Sequence, residues 1–85
     1  MDKIIDGKAY TTEFHLVCLI LYFGQNFLET KIQDRRCVFI FDDTELVREL
    51  RYKILMGIPI VVDDMIRMFG VITRFHTIVN STLAG

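Results

Sequence analysis

From Leu16 to Phe23 every position is apolar, and with Phe14 just ahead this predicts a helix from about Thr12 to Phe23 with no polar side. Thr11 or Thr12 offers a hydroxyl to its first free N–H groups, Glu13 puts negative charge in its first turn, and Gly24 can take the positive φ that ends it. A different pattern follows. Asn26 to Ile32 alternates loosely, Gln33-Asp34-Arg35 reads as a turn, and Arg36 to Phe41 returns as a strand, giving a β-hairpin. Cys37, Phe39 and Phe41 point one way from the return strand and Val38 and Ile40 the other. All five are apolar, so both sheet faces are expected to be covered.

The helical period resumes after Asp42-Asp43, either of which can cap, with Glu45 three residues after Asp42 as in a capping box. Leu46, Val47, Leu50, Ile54 and Leu55 mark one face of this second helix. Glu45, Arg48, Glu49, Arg51 and Lys53 mark the other, with Glu49 and Lys53 four apart in the favourable order. Gly57 and Pro59 stop it, and Ile58 to Val62 reads as an extended crossing or third short edge strand. Asp63 or Asp64 then caps a last helix running to about Ser81. Its expected buried stripe is Met65, Phe69, Ile72, Phe75, His76 and Val79, opposite Arg67, Gly70, Arg74, Thr77 and Ser81. Ahead of everything, Met1 to Tyr10 mixes charge and apolar character around Asp6-Gly7. Lys3 to Ile5 and Lys8 to Tyr10 either pair as a short ribbon or lie against the body.

The expectation is one α+β domain over residues 1–85, of order α-β-β-α-α, in which a two-stranded antiparallel hairpin is covered by three helices. A domain this small buries only about 60 to 65% of the surface its unfolded chain exposes. The first helix is apolar all round, so a second copy of the chain is expected against it. The expected contacts are Phe14, Leu16, Val17, Leu19, Ile20, Tyr22 and Phe23, with Met68 from the last helix.

Composition narrows the function classes. With 52% hydrophobic and 25% charged residues the chain is globular, and a formal charge of -1 disfavours nucleic-acid binding by overall basicity. Cys18 and Cys37 are too few for a disulfide framework and read as two buried thiols in a reducing, cytoplasmic setting. The eight-residue apolar run is far short of the roughly 20 residues that cross a bilayer, so no membrane partner is expected.

The elements together resemble a family of small domains of unknown function from bacteria, their phages and mobile elements. Three stretches carry the likeness: Tyr10-Thr11-Thr12-Glu13-Phe14-His15-Leu16 opening a helix that ends at Gly24, then Arg36-Cys37-Val38-Phe39-Ile40-Phe41-Asp42-Asp43, and then Glu45-Leu46 through Tyr52 with Gly57. The resemblance implies the α-β-β-α-α order and a phage-like origin, hence a host cytoplasm. It carries over no activity and no cofactor.

Candidate chemistry is sparse. His15, Cys18, Cys37 and His76 contain the ligand types of a zinc site but not its tight ligand pairs, so core thiols and ordinary histidines are the favoured reading. Asp42-Asp43 and Asp63-Asp64 each stand where a helix begins, and capping explains them better than acid–base work. No nucleophile has basic neighbours on its own face, so no enzymatic activity is expected. Lys31, Arg35 and Arg36 cluster at the hairpin tip, Arg48 and Arg51 lie on the second helix, and Arg67 and Arg74 on the third. Arginines suit phosphate through their planar fork, and several brought together from two subunits would make an anion pocket on a neutral protein. The expected function is a non-enzymatic homo-oligomeric binding module holding a small phosphate-bearing ligand. A signalling nucleotide sequestered from a host defence system is one such ligand, with Arg35, Arg36, Arg48, Arg51, Arg67 and Arg74 as candidate contacts. The rivals are a module that inhibits or adapts a host protein through its apolar helix, and a weak single-stranded nucleic-acid accessory.

Overall fold

The structure is a computed structural model and describes residues 3–84. Met1 and Asp2 of the mixed amino-terminal stretch, and Gly85, lie outside the described residues. The elements are β1 (Lys3–Ile5), β2 (Lys8–Thr11), α1 (Phe14–Tyr22), β3 (Glu29–Gln33), β4 (Arg36–Asp42), α2 (Glu45–Met56) and α3 (Met65–Ala84). The four strands make one antiparallel sheet in the order β1-β2-β4-β3. The fold is α+β, but its order is β-β-α-β-β-α-α, and the expected hairpin is only half of the sheet. The amino-terminal ribbon is real, and β2 pairs with β4 from Lys8↔Asp42 to Thr11↔Phe39. Strands of three and four residues are too short to declare themselves by alternation, and their partner lies far along the chain.

Both hairpins close through two residues at positive φ, Asp6 and Gly7 at 51° and 74° and Asp34 and Arg35 at 52° and 65°. That geometry matches the right-handed twist of the paired strands. Glycine takes it freely; Arg35 does so at a cost.

Pairing register sorts the side chains. Ile4, Ala9, Thr11, Thr30, Ile32, Cys37, Phe39 and Phe41 share one face of the sheet. The core is built on that face, where Phe39 lies 5.3 Å from Phe75 of α3 and 5.5 Å from Phe27, ring centre to ring centre. All three helices belong to this layer, and α1 packs between α2 and α3. The opposite face has no helix over it among the described residues, against the expectation that both faces would be covered. Val38 and Ile40 are nevertheless buried there.

The circumference of α1 is closed within one chain. Leu16, Val17, Ile20 and Tyr22 are no more than 2% exposed, and Met68 is also buried. These five of the expected contacts with a second copy therefore sit inside the monomer. Phe14 and Leu19 are half-buried, and only Phe23 is exposed. Two features supply the extra cover. Residues 57–64 form no strand; they are irregular, and Ile60 and Val62 pack onto the core. In addition, α3 turns Ile72, Phe75 and Val79 inward as expected, but a small rotation brings Met68, Val71 and Ile78 in with them, while Met65, Phe69 and His76 face solvent.

Helix ends explain that rotation. The Tyr22 hydroxyl donates to Asp63 Oδ1 at 2.8 Å and accepts the Asp64 N–H at 3.1 Å, while Asp64 Oδ1 caps the N–H of Arg67 at 3.0 Å. Arg67 lies over the Tyr22 ring and donates to the Tyr22 carbonyl. This latch pins the start of α3 to the end of α1. At α2 the cap is Thr44, whose hydroxyl accepts from the Val47 N–H at 3.3 Å, in place of Asp42 or Asp43. Asp43 instead holds Arg48. The α2 stripe is as expected at Val47 and Leu50, whereas Leu55 is 80% exposed. Gly57 ends α2 in the left-handed region at φ 70°. Thr11 accepts the N–H of Glu13, which precedes α1 without a side-chain cap of its own.

Candidate functional site: the open face of the sheet

The face turned away from the helices carries Lys3 and Ile5 of β1, Lys8 and Tyr10 of β2, Arg36, Val38, Ile40 and Asp42 of β4, and Glu29, Lys31 and Gln33 of β3. Each follows from its cross-strand partner: Lys3↔Tyr10, Tyr10↔Ile40, Glu29↔Ile40, Lys31↔Val38 and Gln33↔Arg36. Four cations, Lys3, Lys8, Lys31 and Arg36, thus stand beside two carboxylates, Glu29 and Asp42. A chain of net charge -1 has a locally positive sheet face.

Lys31 and Tyr10 belong to the two strands that flank β4, and the ammonium sits 5.2 Å from the centre of the tyrosine ring. The contact bridges β4 on this face, which accounts for the burial of Val38 and Ile40 without a covering helix: an aromatic ring and a lysine stem shield apolar surface while their polar ends stay wet. Around it lie two adjoining grooves. One of about 350 Å³ is lined by Lys3, Tyr10, Thr12, Gln33, Asp34, Arg36 and Val38. The next, about 320 Å³, shares Lys3, Tyr10 and Gln33 and adds Lys31 with Ile5 and Ile32. Lys3 is on one edge strand and Gln33 on the other, so the grooves reach across the open face.

The arginines do not converge. Arg36 lines the open face, and Arg35 joins it in a shallow cleft at the hairpin tip with Thr12, Cys37, Phe75, Val79 and Leu83. Arg48 is held by the carboxylate and carbonyl of Asp43 on α2, and Arg51 borders a different cleft with Glu13, Leu16, Ile54 and Leu55. Arg67 belongs to the latch, and Arg74 lies 6.0 Å from the Phe27 ring. Sequence reasoning singled out Lys31 and Arg36 for charge but not Lys3, Tyr10 or Gln33. The signal for Lys3 and Tyr10 is the parity of the ribbon once it is joined to β4, and for Gln33 its pairing with Arg36.

The remaining candidates have ordinary structural surroundings. Cys18 and Cys37 are buried free thiols; burial pushes Cys18 up to about 11 and also raises Cys37, against a partly offsetting hydrogen bond with Thr82. Both are held away from the reactive thiolate form at neutral pH. His15 is exposed beside Glu13 at 3.2 Å, and His76 stacks on Phe14 at 5.9 Å. Among the described residues no three His, Cys, Asp or Glu side chains are grouped to hold a metal ion. No helix in them is long and apolar enough to cross a membrane.

Comparison with protein-family models, with curated proteins and with solved structures gave no match to this chain.

Proposed function

We propose that the chain is a non-enzymatic binding module that holds a phosphate-bearing ligand, such as a signalling nucleotide, on the open face of its sheet. One observation carries the reading: Lys3, Lys31 and Arg36, with Asp34 as the one carboxylate, line two adjoining grooves on this face that share Tyr10. Cations on fixed strands neutralise phosphate oxygens, and an arginine adds a planar fork. Tyr10 over Val38 and Ile40 offers a nucleobase a flat surface to stack on. Sequestration of a host signal needs such a module and no chemistry, and neither cysteine is poised to supply any.

Because the two grooves adjoin, the same contacts suit a mononucleotide, a cyclic dinucleotide or a short single strand. Isothermal titration calorimetry with ATP, a set of cyclic dinucleotides and eight-residue oligonucleotides of DNA and RNA distinguishes these. Micromolar binding of mononucleotides or cyclic dinucleotides supports the small-ligand reading. Binding that appears only with oligonucleotides, and weakens steeply with salt, assigns the face to a single strand instead. If nothing binds at millimolar protein and low salt, the reading is wrong.

A further inference from the structure

The corner formed by the end of α2, residues 57–64 and the start of α3 exposes the largest run of apolar side chains in the described chain. Leu55 and Val61 are 80% exposed, Ile66 85%, Phe69 60%, Met56 59% and Met65 50%. We infer that this corner is the surface through which two copies of the chain pair. The proposal is independent of the ligand reading, since the corner lies in the helix layer and the grooves lie on the opposite face of the sheet.

Area is the first argument. The six side chains together expose the equivalent of roughly four whole ones, and at about 100 Å² of apolar surface each that is ~400 Å². One partner's share of a standard interface is ~800 Å², rather more than half of it apolar. The exposed corner therefore supplies most of the apolar part of one such share. Leu55 borders a cleft with Leu16 near the start of α1 and Val61 one with Phe23 near its end, and the nine residues of α1 span about 13 Å between them.

Charge argues that the occupant is a second copy. Asp63, Asp64 and Arg67 are the only charged residues from Leu55 to Phe69, and each is held by the latch at Tyr22. The surface therefore carries two carboxylates and one guanidinium tied together at Tyr22, a net charge of only -1, which gives a strongly acidic or basic partner little to attract it and a second copy little to repel it. A two-fold pairing sets this corner against itself, as closed dimers do. A cleft of about 350 Å³ between Arg51, Leu55 and Leu16 adjoins the corner, room enough for an aliphatic side chain from the facing copy.

The test is sedimentation velocity on the full chain from 1 to 200 µM. The expected result is a shift from 10 to 20 kDa across that range. Ile66→Lys and, separately, Leu55→Asp are each expected to weaken the dimer at least tenfold. Both residues are exposed in the monomer, so circular dichroism and the thermal midpoint of dilute samples serve as the control on folding. A 10 kDa species at 200 µM overturns the proposal, as does a dimer that survives both substitutions in folded protein. Flotation with neutral phosphatidylcholine vesicles covers the remaining occupant: monomeric chain that floats through this corner also overturns it.

Discussion

Removing a single oxygen at Tyr22 should loosen the whole start of α3. In Tyr22→Phe the ring keeps its buried place and its stacking under Arg67, so the lost interactions are the bond to Asp63 at 2.8 Å and that from the Asp64 N–H at 3.1 Å. A hydrogen bond to a carboxylate contributes about 1.5–3 kcal/mol, and the exposure of Asp63 argues for the lower figure. The Asp64 N–H is near enough to solvent to find water, so its loss adds ~0.5 kcal/mol. The sum is about 2 kcal/mol, against a total of roughly 4–13 kcal/mol for a chain of this length. Equilibrium urea unfolding should show that drop, with a melting point about 10 °C lower. Native-state hydrogen exchange should place the effect first at the amides of Arg67 and Met68. A Tyr22→Phe protein within 0.5 kcal/mol of the parent, with α3 amides equally protected, would refute the latch as the device that sets the phase of α3.

Other outcomes follow from the same geometry. Arg35→Gly relieves a left-handed arginine at φ 65° and should raise stability by about 1 kcal/mol in urea unfolding, because Asp-Gly suits this turn far better than Asp-Arg; a loss of stability would mean that the Arg35 side chain anchors the hairpin tip. Native Cys18 should react with iodoacetamide at pH 8 on the order of 100 times more slowly than an unfolded cysteine, since a group at about 11 is a thousandth ionised there and one at 9.0 about a tenth. The folded thiol holds its proton more tightly, so stability is unaffected below about pH 8 and falls as pH rises from 9 to 11, by about 2–3 kcal/mol. Cys18→Ala should remove that part of the alkaline slope, and an unchanged slope would show that other groups cause it.

Some of this was legible in the residues themselves. The β3–β4 hairpin, the Gly57 stop and the Asp64 cap are local events, written in adjacent side chains. The ribbon was one of two alternatives for Lys3 to Tyr10, and its pairing with β4 was not visible, because three- and four-residue strands carry too little pattern alone. The apolar girdle of α1 pointed to a second copy. What closes it instead is Ile60 and Val62 on an irregular stretch, together with a turned α3, and neither has a periodic signature. Met65 and Phe69 are as apolar as Met68 and Val71, so hydrophobicity could not choose the buried stripe; hydrogen bonds at Tyr22 did. For the same reason apolar surface available to a partner moved from α1 to the corner at residues 55–69. The basic face was half legible: Lys31 and Arg36 stood out, and only the sheet order adds Lys3 and Tyr10.

The most direct measurement is a comparison of two charge-reversed proteins in titrations with ATP, the cyclic dinucleotides and the eight-residue oligonucleotides. Lys31→Glu with Arg36→Glu alters the open face, whereas Arg48→Glu with Arg74→Glu alters the helix side by the same total charge. Affinity that falls at least tenfold in the first and no more than about twofold in the second is the predicted result. Equal losses in both, or a loss confined to the second, would contradict the assignment of binding to the sheet.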